Sequence, residues 1–162
     1  MPTYPFRVLD LDIRVTRFGA PAAIRLTSAA LAELGERYGG DGDSTPVSPI
    51  EFDPPDGAFL IAYHDGAAIG CGGWRTLSTD DSAAELKRMY VVPEARGRGV
   101  AWAVLRAIED SARVAGKRQI LLETGDKQPE AVALYEKAGY VRIPDFGHYA
   151  GEPGVVSFAR LL

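Results

Sequence analysis

Metal ligands and disulfide-forming residues are scarce in this chain of 162 residues, which contains one cysteine, Cys71, and two histidines, His64 and His148. A single cysteine cannot form an internal disulfide, and a lone cysteine in an apolar strand is usually a packing residue. Zinc sites need several cysteine or histidine ligands, so we expect no metal site. The cysteine content is compatible with a reducing compartment and favours a cytoplasmic location.

Long apolar runs and an excess of positive charge are also missing. No run approaches the roughly 20 apolar residues that span a bilayer, and residues 1–12 lack the apolar core of a secretory signal. The chain has 18 Lys and Arg against 22 Asp and Glu, a net charge of −4. This sign is wrong for a general nucleic-acid surface. We therefore expect neither a membrane nor a nucleic acid as partner, and any anion site must be local.

The remaining composition fits one globular domain over residues 1–162. Hydrophobic residues make up 46% of the chain and charged residues 25%, close to the globular average. A chain of this length can bury about 68 to 70% of its unfolded surface. No internal repeat, low-complexity tract or linker divides it, so we predict a single domain.

The hydrophobic periodicity predicts an α/β fold with helices covering a mixed sheet. Asp65-Gly66 is a tight-turn dipeptide, which makes the two strands beside it an antiparallel hairpin. The stretch 39–57 is rich in proline and glycine and is predicted to be a loop with at most one short helical turn. Strands are predicted at 7–18, 58–64, 67–77, 84–92, 119–124, 140–143 and 155–161, and helices at 21–38, from 100 to near 116, and at 129–138.

One segment, from Glu85 to Ala101, points to a ligand. A strand runs into the turn Arg96-Gly97-Arg98-Gly99, and this turn opens a helix. Helix N-termini expose unpaired backbone N–H groups and the positive end of the helix dipole, which together form an anion cradle. The two glycines have no β-carbon to keep a diphosphate away, and the two arginines add positive charge. The segment therefore predicts a phosphate-bearing ligand.

Two nucleotide-binding motifs do not fit this turn. The P-loop requires Gly-Lys-Ser or Gly-Lys-Thr after the glycines, and neither is present. The dinucleotide fingerprint requires Gly or Ala at its last position, where this chain has Trp102. A nucleotide-binding α/β domain is therefore disfavoured.

The pattern Arg-x-x-Gly-x-Ala, from Arg96 to Ala101, resembles the acyl-CoA-binding motif of the GCN5-related N-acetyltransferase (GNAT) superfamily. The segment from Gln128 to Tyr140, with Leu-Tyr-Glu-Lys followed by Gly and an aromatic residue, resembles the other signature of that family. The resemblance covers residues 58–143 well and the first 57 residues only in architecture. It implies the acyl-CoA N-acyltransferase fold, a mixed, mostly antiparallel sheet with a splayed central parallel pair and flanking helices.

The resemblance also implies acetyl-CoA as co-substrate, with no metal. An extended pantetheine arm would pair with the exposed backbone of one splayed strand as an added strand does. The implied backbone contacts to that arm come from Met89, Tyr90 and Val91. Gln128, where the family often has Asn, is the implied side-chain contact. The implied pyrophosphate site follows Arg96 and consists of the amides of Gly97, Arg98, Gly99, Val100, Ala101 and Trp102.

Acetyl transfer to an amine needs a proton acceptor, because an amine of pKa about 10.4 is neutral in roughly one molecule per few thousand at pH 7. Glu85 and Glu123 match positions where some family members carry a general base, and we place Glu85 slightly ahead. The alternative for either is an ion pair with Lys87, Arg88 or a neighbouring strand. Tyr135 matches the position that faces the cofactor sulfur, where it would return a proton to the thiolate; the alternative is a core tyrosine.

We therefore expect an N-acetyltransferase that moves an acetyl group to a primary amine of a small molecule or peptide, by direct attack through a tetrahedral intermediate. The alternative is a non-catalytic coenzyme A-binding sensor or assembly module. The family also suggests a homodimer. Five acidic residues and no basic ones in 39–57 suggest a loop that attracts a cationic amine, or else a solvated acidic loop. The loop 144–154 is a second candidate wall of the acceptor site.

Overall fold

The computed structural model describes residues 9–162, so the start of the strand predicted at 7–18 lies outside the described residues. Seven strands and three α-helices make up this part of the chain, with two short 3₁₀ turns at Pro49–Phe52 and Pro93–Ala95. The strands are β1 (Asp12–Thr16), β2 (Gly57–His64), β3 (Ala67–Leu77), β4 (Asp80–Val91), β5 (Gln119–Gly125), β6 (Val141–Arg142) and β7 (Val155–Leu161). The helices are α1 (Pro21–Tyr38), α2 (Val100–Val114) and α3 (Pro129–Lys137).

All described strands belong to one sheet, in the order β1-β2-β3-β4-β5-β7-β6. Every neighbouring pair is antiparallel except β4 and β5, which are parallel. Asp65 and Gly66 form the β2–β3 turn with φ angles of 48° and 80°, the left-handed region that such a turn requires. The predicted mixed, mostly antiparallel sheet and its hairpin are therefore confirmed.

The parallel pair β4 and β5 separates partway along its length. Its ladder holds only three residue pairs and ends at Glu85 opposite Leu121. Beyond this point β4 continues to Val91 and β5 to Gly125 with no pairing between them. The predicted splay is present, and it leaves backbone groups of both strands facing an open space.

A β-bulge in β4 bends the strand beside the splay. Arg88 has a φ of 61°, which is uncommon for a residue with a side chain. The pairing of β4 with β3 shifts at the same place, between Cys71 and Gly73. An extra residue in one strand kinks it and increases its twist. The bulge, which no feature of the sequence pattern indicated, therefore turns the second half of β4 away from β5.

The core lies on both faces of the sheet. Val104, Leu105 and Ile108 of α2 are fully buried and belong to the larger cluster, together with buried residues of β2, β4, β5 and β7. The spacing of these positions places them on one side of the helix, as an amphipathic helix over a sheet requires. The opposite face is covered by α1 and holds a second cluster of Ala23, Leu26, Phe52, Phe59, Ile61 and Cys71.

The buried carboxylate of Glu109 links α2 to Tyr140, which follows α3, and to Arg160 of β7. Glu109 is 1% exposed and accepts hydrogen bonds from the hydroxyl of Tyr140 at 3.1 Å and from Arg160 at 2.7 Å and Arg106 at 2.8 Å. Burial of a carboxylate is tolerated when it is paired and hydrogen-bonded in this way. The Tyr140 ring lies 5.6 Å from that of Tyr135 in an edge-on arrangement, so this network also holds Tyr135.

Two predicted boundaries were wrong. β4 begins at Asp80, four residues before the predicted start at Ala84, because a tight turn pairs Asp80 with Leu77 of β3. Polar residues with low strand propensity are recruited here by the pairing itself. β1 is limited to Asp12–Thr16 within the described residues. In the part of the chain that the structure describes, none of the helices combines the length and apolar character needed to cross a bilayer.

Candidate active site

A cleft of about 870 Å³ opens where β4 and β5 separate, bounded by α1, β4, the turn after it, α2, β5 and α3. All but one of the site residues predicted from the sequence line this cleft. Glu85 is the exception. The residues that the structure brings together there are Met89, Tyr90, Val91, Arg96, Gly97, Arg98, Gly99, Val100, Ala101, Trp102, Glu123, Gln128 and Tyr135.

The turn before α2 can accommodate an anion. Gly97 and Gly99 have φ angles of 74° and 83°, which favour glycine, and Gly99 is the N-cap of α2 with no side-chain cap on the helix. A β-carbon built on either glycine would meet no heavy atom within 4 Å, so the space beside the turn is open. The first amides of α2 therefore face open space, as binding of a diphosphate requires.

The two arginines of this turn have different surroundings. Arg96 donates from Nε to the carbonyl oxygen of Val91 at 2.9 Å and pairs with Glu33 of α1 at 2.6 Å, which raises its pKa. Arg98 is exposed and has no ion pair with any described residue. Arg96 thus fastens the turn to β4 and α1, while Arg98 is available to a phosphate.

Tyr135 reaches the cleft from α3. It is 4% exposed and packs edge-on against Tyr140, with the ring of Phe158 6.1 Å away. Burial raises the pKa of the phenol, so the hydroxyl keeps its proton throughout the neutral range. The side chain therefore presents a fixed and protonated hydroxyl group to the cleft.

Glu85 is engaged elsewhere. It is 5% exposed, and its Oε1 accepts two bonds from Arg75 of β3, from Nε at 2.8 Å and from a terminal nitrogen at 2.7 Å. Arg75 also pairs with Glu51 at 2.6 Å. The guanidinium of Arg75 thus occupies this carboxylate, and Glu85 does not line the cleft. The geometry therefore favours the alternative interpretation of Glu85, an ion pair with a neighbouring strand.

Glu123 of β5 has the opposite environment. Its Oε2 accepts the backbone N–H of Tyr149 at 3.0 Å, while its buried Oε1 has no hydrogen-bond partner among residues 9–162. Burial is the main influence on its pKa and raises it, although the Tyr149 amide and the charge of Lys87 act in the other direction. Gly147 packs so closely that any β-carbon there would overlap this carboxylate. A buried carboxylate with an unused oxygen is a candidate proton acceptor.

A second, smaller pocket of about 180 Å³ lies beyond Glu123. It shares Glu123, Leu34, Thr124 and Gln128 with the cleft, so the carboxylate stands where the two cavities meet. The other lining residues include Tyr38, Asp43, Tyr149, Glu152, Pro153 and Val155. The cleft lies at the splay, the second pocket lies at the end of β5, and Glu123 lines both.

Residues 28–140 match the Acetyltransferase (GNAT) family, a span of more than half of the chain. The chain belongs to the GNAT acetyltransferase family. This GNAT acetyltransferase is therefore an acetyl-CoA-dependent N-acyltransferase with an amine acceptor. The open turn, the uncapped start of α2 and the cleft at the splay fit coenzyme A. Within residues 9–162 no group of three or more His, Cys, Asp or Glu side chains is arranged to hold a metal ion.

Relatives of this GNAT acetyltransferase include an IAA acetyltransferase from Azospirillum brasilense. It is 42% identical over 127 residues, which cover 76% of this chain and 82% of that protein. A solved structure from Klebsiella pneumoniae, assigned as a candidate acyl-CoA N-acyltransferase, is 30% identical with a TM-score of 0.77 and covers 94% of this chain and 98% of its own. A GNAT family acetyltransferase from Elizabethkingia anophelis, solved with acetyl-CoA bound, shares the fold at 17% identity and a TM-score of 0.67, covering 94% and 99% of the two chains.

Three features of the acetyltransferase site were missed or misread in the sequence. Tyr149 was named only as part of a candidate wall, yet its amide holds Glu123 and its hydroxyl donates to Asp43 at 2.8 Å. Tyr38, at the end of α1, lines the second pocket, and no sequence signal marks it. The position of Lys87 could have been predicted, because side chains alternate between the two faces of a strand and Lys87 lies two residues after Glu85, on the same face.

Two of the five carboxylates in the acidic loop 39–57 form ion pairs with the sheet. Asp43 pairs with Arg88 at 2.8 Å, and Glu51 pairs with Arg75 at 2.6 Å. Two of its five carboxylates therefore neutralise arginines of the sheet. These two ion pairs hold the loop against β3 and β4, and the attraction of a cationic amine by the loop stays a prediction.

The turn before α2 yields a first prediction for the acetyltransferase. Changing Gly99 to Ala places a β-carbon on left-handed backbone at a cost of about 1–2 kcal/mol, and the turn relieves this strain by moving its amides. We expect the Kd of coenzyme A, measured by isothermal titration calorimetry, to rise about tenfold, which corresponds to about 1.4 kcal/mol.

Gly116 at the other end of α2 supplies the matched control. It has a φ of 86° and open space beside it, so Gly116→Ala introduces the same backbone strain far from the cleft. The two variants should lose similar stability, but only Gly99→Ala should bind coenzyme A weakly. Equal Kd values for the two variants would contradict a role of this turn in binding.

Proposed function

We propose that this acetyltransferase moves the acetyl group of acetyl-CoA to a primary amine of a small molecule or peptide by direct attack, with Glu123 as proton acceptor and Tyr135 as proton donor. The observation that carries the proposal is the position of Glu123, which lines both cavities and whose buried carboxylate has an oxygen without a hydrogen-bond partner among residues 9–162. A donor in the cleft and an acceptor in the second pocket would meet beside this residue.

Glu123 would take the proton that the attacking amine must lose. Its burial supports this role, because a raised pKa brings the carboxylate closer to the pKa of an ammonium group and makes it a stronger base. The C–N bond forms first and gives a tetrahedral intermediate, the C–S bond breaks as this intermediate collapses, and the amine proton passes to the Glu123 carboxylate. Glu85 is the weaker candidate, because Arg75 holds its carboxylate.

Tyr135 would supply the proton that the departing sulfur needs. Its hydroxyl is protonated at neutral pH, its ring is fixed by Tyr140 and Phe158, and it lines the cleft. Proton transfer from a phenol to a thiolate is uphill by the reference pKa values of about 10 and 8.5. Burial of the thiolate in the same cleft raises its proton affinity and reduces this difference.

Residues of the splay and of the turn would hold the co-substrate, which supplies an activated acetyl thioester. Past Glu85, β4 has no strand paired on its β5 side, so backbone groups of Met89, Tyr90 and Val91 that β3 does not bind are available to the pantetheine arm, apart from the Val91 carbonyl oxygen, which accepts a bond from Arg96. The amides from Gly97 to Trp102 would hold the pyrophosphate, with Arg98 adding charge and Arg96 stiffening the turn. Gln128 would contact the arm from the start of α3.

The alternative, a coenzyme A-binding sensor or assembly module, predicts binding without turnover. The test mixes the protein with acetyl-CoA and a panel of amino acids, polyamines, aminoglycosides and peptides, and measures release of free thiol. Acceptor-dependent thiol release above the hydrolysis background supports the enzyme. Tight coenzyme A binding by calorimetry with no thiol release from any acceptor supports the sensor. A single domain over residues 1–162, a homodimer and a cytoplasmic location stay predictions.

A further inference from the structure

Lys87 is a buried cation beside the cleft that lacks a carboxylate partner. It is 6% exposed, and its Nζ donates to the hydroxyl of Thr45 at 3.2 Å. No carboxylate oxygen of residues 9–162 lies within 4.0 Å of this nitrogen. The neighbouring cations differ, because Arg75 and Arg88 are each paired with carboxylates at 2.6 to 2.8 Å.

Asp43, an acid of the same network, has partners on both carboxylate oxygens, and against the opposing effect of burial the charge of Lys87 lowers its pKa without an ion-pair contact. Its Oδ2 pairs with Arg88, and its Oδ1 accepts bonds from the hydroxyls of Tyr149 and Thr45 and from the Thr45 amide. The only hydrogen-bonded connection between Lys87 and Asp43 among the described residues therefore passes through the Thr45 hydroxyl. A lysine ammonium has three N–H donors, and one is accounted for by this bond. Burial of a cation is costly unless a partner offsets it, so the two remaining donors point to a ligand.

Glu123 lies on β5, the strand that separates from β4 at the splay, and carries the charge opposite to that of Lys87. Its Oε1 has no hydrogen-bond partner, and no described cation lies within 4.0 Å of its carboxylate. Both residues line the same cleft, on β4 and β5 past the end of their ladder. The charge of Lys87 acts on Glu123 without contact between them. A molecule lying between the two would satisfy both if it carried a negative and a positive group.

We propose that the acceptor is a free amino acid whose carboxylate binds Lys87 and whose amine lies beside the carboxylate of Glu123. This inference rests on the proposed function. The second pocket, which shares Glu123, would take the side chain of the amino acid, and its volume of about 180 Å³ suits a side chain rather than a large molecule. Leu34, Tyr38 and Val155 give it apolar surface.

The same charges disfavour other amine acceptors. A polyamine or an aminoglycoside would bring further positive groups toward Lys87, and like charges repel. A peptide N-terminus has an uncharged amide where a free amino acid has its carboxylate. Simple alkylamines would leave the ammonium of Lys87 without a partner. A zwitterion is therefore the class whose charges match those of the site.

The test compares free amino acids with the amines that lack only the carboxylate, such as leucine with isoamylamine and phenylalanine with phenethylamine. Thiol release gives kcat/KM for each member of a pair. We expect the native protein to prefer at least one amino acid over its amine, and Lys87→Met to reduce the ratio of the two kcat/KM values about 10- to 100-fold. The ratio is used because loss of Lys87 also raises the pKa of Glu123, which affects both reactions.

Control variants separate the contact from a general loss of structure. Lys87→Arg keeps a charged donor for a carboxylate and should retain most of the preference. Lys117→Met removes a lysine that bonds to the carbonyl oxygen of Asp81 away from the cleft, and should leave the ratio unchanged. Coenzyme A affinity and the thermal midpoint report whether Lys87→Met is folded. If Lys87→Met does not fold, the kcat/KM ratio of Lys87→Arg is compared with that of the native protein instead, and loss of the preference in a folded Lys87→Arg would contradict a contact with the carboxylate.

Amino acid binding is measured separately, by calorimetric titration of the best amino acid of the panel into protein saturated with coenzyme A. Turnover of amines without preference for amino acids overturns this inference and leaves the proposed function. An unchanged ratio in Lys87→Met also overturns it. Amino acid binding that depends on Lys87, with no thiol release from any acceptor, supports the amino acid site and overturns the proposed function.

Discussion

Replacement of Glu123 by glutamine should reduce kcat about 10²- to 10⁴-fold, the usual contribution of general base catalysis. In the native protein, kcat should fall as pH is lowered through the pKa of Glu123, because only the carboxylate accepts a proton. Burial raises this pKa, so the fall should begin above the range of an ordinary glutamate, whose pKa is about 4.3. A pH profile at saturating acceptor measures it, and Glu123→Gln should lack this acid limb.

The same substitution should not destabilise the protein. Since the folded-state pKa of Glu123 is raised, its contribution to stability is fully present below the unfolded pKa and is lost as pH rises through the folded value. At neutral pH the native protein therefore carries a buried carboxylate with an unused oxygen. Glu123→Gln should have a thermal midpoint at pH 7 at least equal to that of the native protein, and this advantage should vanish below about pH 4.3, the ordinary pKa.

Glu85→Gln is the matched control on the neighbouring strand. It removes the carboxylate that pairs with Arg75, so it should lower the thermal midpoint while retaining the acid limb of the pH profile. The two variants therefore have opposite signatures. Loss of activity in Glu85→Gln together with normal activity in Glu123→Gln would assign the base to Glu85 and refute the proposed mechanism.

Replacement of Tyr135 by phenylalanine should lower kcat about 10²-fold or more with little change in the Kd of coenzyme A. The variant removes the hydroxyl and keeps the ring that packs on Tyr140 and Phe158, so the fold should be preserved. Steady-state thiol release measures the effect. An acetyl thioester of a more acidic thiol should recover part of the lost rate, because its thiolate leaves without a proton.

Tyr140→Phe supplies the comparison for Tyr135. It deletes an equally buried phenol next to Tyr135, and this hydroxyl bonds to the buried Glu109. We expect a lower thermal midpoint, because the carboxylate loses a donor, and a kcat that is much less affected. If Tyr135→Phe reacted at the native rate, or if both variants were equally slow, Tyr135 would have no specific role as proton donor.

The two proposed proton-transfer groups are positioned by different parts of the fold. Glu123 lies on β5 and is held by the Tyr149 amide of a distant loop, whereas Tyr135 lies on α3 above the Glu109 network. The bulge in β4 places Arg88 beside the loop 39–57, because the Arg88 side chain pairs with Asp43 of that loop. The bulge beside the splay is thus also tied to one wall of the second pocket, where we propose that the acceptor binds.

The local features of this acetyltransferase could be predicted from the sequence because they lie in contiguous segments. The turn from Arg96 to Gly99 and the start of α2 depend on glycine backbone freedom and on helix geometry within a few residues. The prediction for Tyr135 came from the resemblance of the segment from Gln128 to Tyr140 to a family signature, and the order of strands and helices follows from hydrophobic periodicity. The family and the cofactor cleft were accessible for the same reason.

Only the tertiary structure distinguishes the surroundings of the two glutamates. Both occupy similar strand positions, and their difference comes from partners that are far away in sequence. Arg75 meets Glu85 through the register of β3 with β4, and Tyr149 reaches Glu123 through a long loop. Charge pairing depends on such three-dimensional distances, because it is set by Coulomb attraction and desolvation at each site. For the same reason the isolation of Lys87 emerges only when every carboxylate around it has been placed.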